Sequence, residues 1–379
     1  MAGIVIPMTR GPYQDNGASP WFAPLTVGSG NPAQTQNFAL DTGTNMVWAT
    51  STQCSTHACM MHHRFDPDQS GSFVWVDKTK QTLDYGVWGN LEANIGRDAI
   101  GIPGGGSVDL TFGLAIDYSG PKFQEVDWDA CIAFPSKGPM QHGFSFFMED
   151  LLNAGMADPL FASVCFDWNY PAGQGTCLVG DVDLSKAILS EGMFLPYGAY
   201  TDYDLLWTAT NATILTGPDA GSATIVKRGV TFGFDSGSSR FKGDVPLLTT
   251  LAQQLGPGQD TLVIDVGQAT GSGGAVRLVV PPEIYMRTID AGQNSGTTSA
   301  QFHPLKGVDG LMIVGSVLMD HLYTVYFYET AQDPATGRHT CTPFGTWVFN
   351  KPGGPKIVQP KDACDTPTAR EVFGRPVPT

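Results

Sequence analysis

One short pattern occurs twice in this chain, about half a chain apart. Asn37-Phe38-Ala39-Leu40-Asp41-Thr42-Gly43-Thr44 reads almost like Thr231-Phe232-Gly233-Phe234-Asp235-Ser236-Gly237-Ser238. Each is an apolar run ending in Asp, a small hydroxyl residue, Gly and a second hydroxyl residue. A fainter echo follows each copy, Cys131-Ile132-Ala133 and then Ile313-Val314-Gly315. A repeat at this spacing in a chain of 379 residues predicts two lobes of related architecture, each contributing one Asp.

Composition says what those lobes are made of. Apolar residues make up 42% of the chain and charged residues 15%, which excludes a disordered polypeptide. With 46 Gly and 27 Pro the chain is too rich in helix breakers for a bundle or coiled coil. Strand-like runs separated by turns occur at 21–27, 37–40, 108–114, 225–234, 261–266 and 323–328. Only 144–154 and 246–255 read as helices, the latter opening with Pro246 in the first turn. The prediction is a mainly β, bilobal protein with few short helices: an N-terminal lobe over 1–183, a C-terminal lobe over 184–349 and an extension over 350–379.

The net charge of −15 excludes a nucleic-acid partner, because a phosphate backbone would be repelled. The richest apolar run, 311–319, is too short to span a bilayer, so no membrane partner is expected. No basic-then-apolar leader opens the chain. A cytoplasmic location follows if Met1 is the native start, and a secreted or periplasmic one if a leader has been removed. The Asn211-Ala212-Thr213 sequon matters only in the second case.

Seven cysteines cannot all pair within the chain. Local pairs Cys54–Cys59, Cys165–Cys177 and Cys341–Cys364, with Cys131 left over, are the simplest arrangement, and in a reducing compartment all seven are thiols. Cys54, His57, Cys59, His62 and His63 also invite a zinc reading, although the spacing is too compressed for a familiar structural site.

The repeated loop has a definite physical use. The strand fixes the Asp at a loop apex, the Gly permits a sharp turn and close approach, and the hydroxyls brace the carboxylates or the partner loop. Two such loops face to face hold two carboxylates so close that both cannot ionise, and the pair shares a proton. The ionised member can then deprotonate a water while the protonated member polarises a carbonyl.

At these residues the chain resembles the pepsin-like aspartic proteases, over roughly residues 20–328. Ser19-Pro20-Trp21-Phe22 resembles the first core strand, and Asp41-Thr42-Gly43-Thr44-Asn45 with Val47-Trp48 the first catalytic loop. Cys54-Ser55-Thr56-His57-Ala58-Cys59 resembles a small disulfide loop, and Phe65-Asp66-Pro67 the stretch after it. Asp84-Tyr85-Gly86 resembles the flap, Asp235-Ser236-Gly237-Ser238-Ser239 the second catalytic loop, and Ile313-Val314-Gly315 the segment threading behind it.

The resemblance implies an aspartic endopeptidase acting on extended, largely apolar peptide or unfolded-protein segments, without a cofactor or metal and as a monomer. Asp41 and Asp235 would be the catalytic pair. Thr42 and Ser236 would brace the loops, Thr44 and Ser238 would hydrogen-bond the carboxylates, and Gly43 and Gly237 would serve backbone geometry. Tyr85 would be the flap residue against Trp48, with Gly86, Val87 and Trp88 completing the flap. Val87 and Trp88 stand where the family usually has a small hydroxyl residue and a second Gly, and Ala133 stands where it has Gly. About twenty mostly polar residues precede Trp21, fewer than the inhibitory prosegment of eukaryotic relatives; if Met1 is the native start, the organisation resembles that of the prosegment-free bacterial members. The same site also admits acid/base chemistry on a small molecule, or a binding or inhibitor module that has kept the scaffold.

Overall fold

The computed structural model describes residues 3–30, 33–86, 89–104, 106–118, 123, 126–201, 203–270, 275–360 and 367–374. Val87, Trp88, Cys364 and the 271–274 glycine run therefore lie outside the described residues. Among those described, the strands form a fourteen-stranded sheet, an eight-stranded sheet and a two-stranded ribbon. The protein is mainly β, as the composition predicts, and its helices are short, for example Phe147–Asn153 and Val245–Leu255. No helix among the described residues is long and apolar enough to cross a membrane.

The strand Trp21–Val27 buries alternate side chains, as a strand with one face on a core must. Gln34–Asp41 instead ends in a continuous buried run, Phe38, Ala39 and Leu40. Its parallel neighbour explains the change: Ala130–Ala133 pairs with it in register, Leu40 beside Ile132 and Asp41 beside Ala133. The second half repeats the device. Thr224–Phe234 runs parallel to Leu311–Val314, with Phe234 beside Val314. Parallel pairs covered on both faces need apolar residues at successive positions, and both loops carry them. The two echoes in the sequence are thus the strands that support the two Asp loops. Gly315 lies against the Ser238 backbone closer than any Cβ could come, so only Gly fits there. The equivalent Ala133 has its methyl fully buried.

The first twenty residues hold more structure than their polarity suggests. Ile4–Arg10 is a strand with alternate residues buried, paired antiparallel with Gln174–Val179. The chain then runs under the second Asp loop, where Ala18 bridges Ser238 and the Ser19 N–H donates to Gly237 O at 2.8 Å. Alternation across Ile4, Ile6 and Met8 was the available signal. At the other end, Val358–Pro360 adds a strand beside Val276–Val280, and Phe373 packs on Trp347 and Phe349.

Cys54 and Cys59 form a disulfide, so their sulfurs are not metal ligands. His62 and His63 turn instead to Asp129, through Nδ1 at 3.4 and 3.0 Å. Burial works against the Asp129 charge, but His62, the Asn37 N–H and His63 outweigh it and hold the carboxyl below its ordinary range. The expected Cys165–Cys177 pair does not form. The two do lie on adjacent strands of a hairpin, but Cys177 stands opposite Phe166 and Cys165 opposite Leu178. A one-residue offset between antiparallel strands puts the two side chains on opposite faces of the sheet. Cys341 has no disulfide partner among the described residues.

Candidate active site

Asp41 closes the strand Gln34–Asp41, and Asp235 follows Phe234 at the end of Thr224–Phe234. Backbone bonds anchor both: Phe134 N–H donates to Asp41 O at 2.7 Å, and Asp235 N–H donates to Val314 O at 2.9 Å. Each loop then turns so that its glycine N–H reaches back to its own carboxylate. Gly43 N–H donates to Asp41 Oδ1 at 2.7 Å and Gly237 N–H to Asp235 Oδ1 at 3.0 Å.

The loops lock to each other reciprocally. Thr42 N–H donates to Ser236 Oγ, and Ser236 N–H donates to Thr42 Oγ1, both at 2.9 Å. The Ser236 hydroxyl donates onward to Leu40 O at 2.6 Å. Both residues are buried, so no water competes for these groups. The brace brings the carboxylates face to face: a Cβ on Gly43 would lie 2.5 Å from Asp235 Oδ1, and one on Gly237 would collide with the Asp41 carboxylate.

Burial first, and the Asp235 charge second, push the Asp41 carboxyl well above its usual range. Two carboxylates brought this close disfavour each other's ionisation. The hydroxyls beside the pair differ between the halves. Ser238 Oγ donates to Asp235 Oδ2. Thr44 Oγ1 accepts from Met46 N–H at 3.2 Å and also engages the Tyr85 hydroxyl.

Tyr85 sits in the turn joining the long strands Val74–Asp84 and Asn90–Ile102. The turn closes with Tyr85 N–H to Gly89 O at 3.0 Å, and Gly86 adopts a positive φ of 59° that suits Gly. The Trp48 indole N–H donates to the Tyr85 hydroxyl at 2.6 Å. Trp48 is itself fully buried, with its ring edge-on to Tyr118 and Phe123. Tyr85 and Gly86 line one side of a cleft of about 430 Å³ that Asp41 and Asp235 also line, with Trp48 behind Tyr85. Apolar side chains, among them Met46, Leu206 and Ile313, line its walls.

Two residues at the site escape a sequence reading. Tyr326 lies beneath the loops, hydrogen-bonded to Thr42, and burial raises its phenol far above the ordinary value. Its signal was the aromatic and β-branched run 323–328, which gave the strand but not what the strand faces. Lys242 is the other, seven residues after Asp235, donating to Ser238 Oγ at 2.9 Å. Cys131, in the strand behind Asp41, is buried, and that burial raises its thiol well above the ordinary value, so no thiolate nucleophile forms.

The comparisons with known proteins agree with this geometry. The family model for eukaryotic aspartyl proteases matches residues 21–332. Gastricsin of Cavia porcellus is 25% identical over 315 residues, covering 81% of this chain and 77% of its own. Pepsin A of Bos taurus is 23% identical over 79% of this chain and 80% of its own, and pepsin-2B of Gadus morhua 23% identical over 79% and 91%. With a repeated Asp loop, two facing carboxylates and a family match across most of its length, the chain belongs to the pepsin-like aspartic proteases, a family of aspartic-type endopeptidases.

Proposed function

We propose that this aspartic endopeptidase hydrolyses peptide bonds through Asp41 and Asp235 acting as one proton-sharing pair. The observation that carries the reading is the close approach of each loop's glycine to the opposite carboxylate, Gly43 to Asp235 and Gly237 to Asp41. The ionised carboxylate takes a proton from water as the water oxygen attacks the peptide carbonyl carbon. The protonated carboxyl donates its proton to the carbonyl oxygen, giving a neutral gem-diol. As the C–N bond breaks, the amide nitrogen takes the proton that came from water and a gem-diol hydroxyl returns its proton to the other carboxylate, leaving a new carboxyl, a new amino terminus and the pair again holding one proton.

The brace between Thr42 and Ser236 supports this role, because it holds the oxygens in a fixed geometry and so supplies the orientation on which rate depends. Tyr85 supports a gating role, excluding bulk water as the turn closes over substrate. The apolar walls favour extended, largely apolar segments. Lobes over 1–183 and 184–349 would each supply one carboxylate, and a monomer contains the whole site.

Cleavage of an unfolded protein from acid to neutral pH, with and without a statine-type inhibitor, tests the reading. Inhibitor-sensitive cleavage that Asp235→Asn removes is the expected result. Undiminished cleavage in Asp235→Asn, or none from the folded wild type at any pH, would overturn it.

A further inference from the structure

The C-terminal wall of the cleft carries two lysines and a histidine that an apolar peptide does not need. Lys242 lies on the strand Phe241–Asp244, which pairs in parallel with Phe302–Leu305 so that Lys242 and His303 stand side by side. Both line the cleft, as does Lys306 three residues further on. Lys242 Nζ donates to Ser238 Oγ, and that hydroxyl donates to Asp235. The ammonium therefore stands two hydrogen bonds from the carboxylate, which meet at a bent hydroxyl and span roughly 4–5 Å. On the other side, the Cε and Nζ of Lys242 pass 3.4 and 3.6 Å from the position a Cβ on Gly17 would take. The lysine is thus bracketed by the second Asp loop and the 14–18 segment, not left to wander in solvent, and only half exposed.

The surrounding charge makes this placement notable. The chain as a whole carries −15, so an acidic peptide is repelled at long range. Within the cleft the described carboxylates are the pair itself and Asp84, and Asp84 sits by the flap, where its Oδ1 accepts from Gly86 N–H. Lys242 and His303 are partly buried where they line the groove, while Lys306 is exposed at its edge; a charge-assisted hydrogen bond to the Lys242 ammonium is stronger there than at an open surface.

Resting on the endopeptidase reading above, we propose that Lys242, with His303 and Lys306 beside it, forms a specificity subsite for an acidic side chain of the substrate. An extended peptide advances about 3.3 Å per residue. The lysine's distance from Asp235 therefore assigns the acidic residue to a position one to three residues from the scissile bond. Lys242 has a second consequence for the same site. Burial and the Asp235 charge raise the Asp41 carboxyl, and the Lys242 ammonium opposes them. A substrate carboxylate that engages the ammonium weakens that opposition.

The test uses the full chain and pairs of fluorogenic peptides that differ only by Glu or Gln at each of the three positions on either side of the scissile bond. It is run at pH 5.5, where a Glu side chain with its ordinary value near 4.3 is ionised. At one position the wild type should cleave the Glu peptide with kcat/KM about ten times that of its Gln twin, the gain lying in KM. Lys242→Met should bring that ratio to about one and Lys242→Arg should retain part of it. Should Lys242→Met not fold, the wild-type ratio itself answers, because it must shrink as NaCl rises from 50 to 500 mM, values chosen to shorten the screening length several-fold. Gln peptides cleaved as well as Glu peptides at all six positions, or an unchanged ratio in Lys242→Met, overturn the subsite while leaving the endopeptidase reading intact. Cleavage of neither member of any pair by folded protein overturns the reading and the subsite together.

Discussion

Gly237 lies against the carboxylate of Asp41, so close that a methyl group on its α-carbon would overlap the carboxyl atoms. The contact joins the two halves of the chain at the point where the chemistry is proposed to occur. Gly237→Ala therefore drives the two acidic loops apart. We expect cleavage to fall at least about a hundred-fold, because displacements of about 1 Å at a reacting centre cost that much. Steady-state kinetics on a neutral peptide checks it, with circular dichroism to confirm a folded chain. Gly43→Ala, whose Cβ would sit 2.5 Å from Asp235 Oδ1, should behave the same way.

The Thr42–Ser236 brace gives a second prediction. Thr42→Ala removes the acceptor of the buried Ser236 N–H, and a buried donor left without a partner costs about 1–3 kcal/mol. Thr42→Ser keeps the oxygen and should keep most of the stability. Urea unfolding of the two variants distinguishes loss of the hydrogen bond from loss of the methyl group.

Asp41 links activity to stability through pH. Its carboxyl is raised on folding, by burial first and by the Asp235 charge second. The native state therefore holds a proton that the unfolded chain releases near pH 4, and stability falls as pH rises from there through the folded-state value. Asp41→Asn carries no charge to bury. Its melting temperature should exceed that of wild type by a few degrees at pH 7 and match it at pH 3, while cleavage is lost at both. Scanning calorimetry at the two pH values measures this, and a lower melting temperature at pH 7 would contradict it.

Tyr85→Phe tests the flap side of the cleft. The ring contacts with Phe123 and Trp48 persist, but the Trp48 indole N–H loses its 2.6 Å acceptor. We expect KM to rise with a smaller change in kcat, as the turn spends less time closed, and kcat/KM to fall about ten-fold, the scale of one such hydrogen bond.

Much of this was legible in the sequence because it depends on local rules. A strand ending in Asp-Thr-Gly or Asp-Ser-Gly fixes an acidic loop wherever it occurs, and two copies half a chain apart predict two related halves. The strand at 21–27 follows from a period of two, the helices near 144–154 and 246–255 from a period near 3.6, and the strand at 323–328 from its aromatic and β-branched residues, signals each segment carries in itself. What neighbours decide could not be read. Cys165 and Cys177 have the spacing of a hairpin pair, and a one-residue register offset, set by strand pairing, separates them. His62 and His63 have the look of ligands, and Asp129, brought in from just ahead of the strand Ala130–Ala133, claims both. Lys242 is an unremarkable lysine until parallel pairing with 302–305 and the turn at Ser238 bring its ammonium to the carboxylates. The sequence by itself determined which groups this protein has to work with and the local geometry that presents them. Only the tertiary structure decided which of them meet, because contact between residues two hundred positions apart is set by the packing of whole sheets, and no local pattern encodes it.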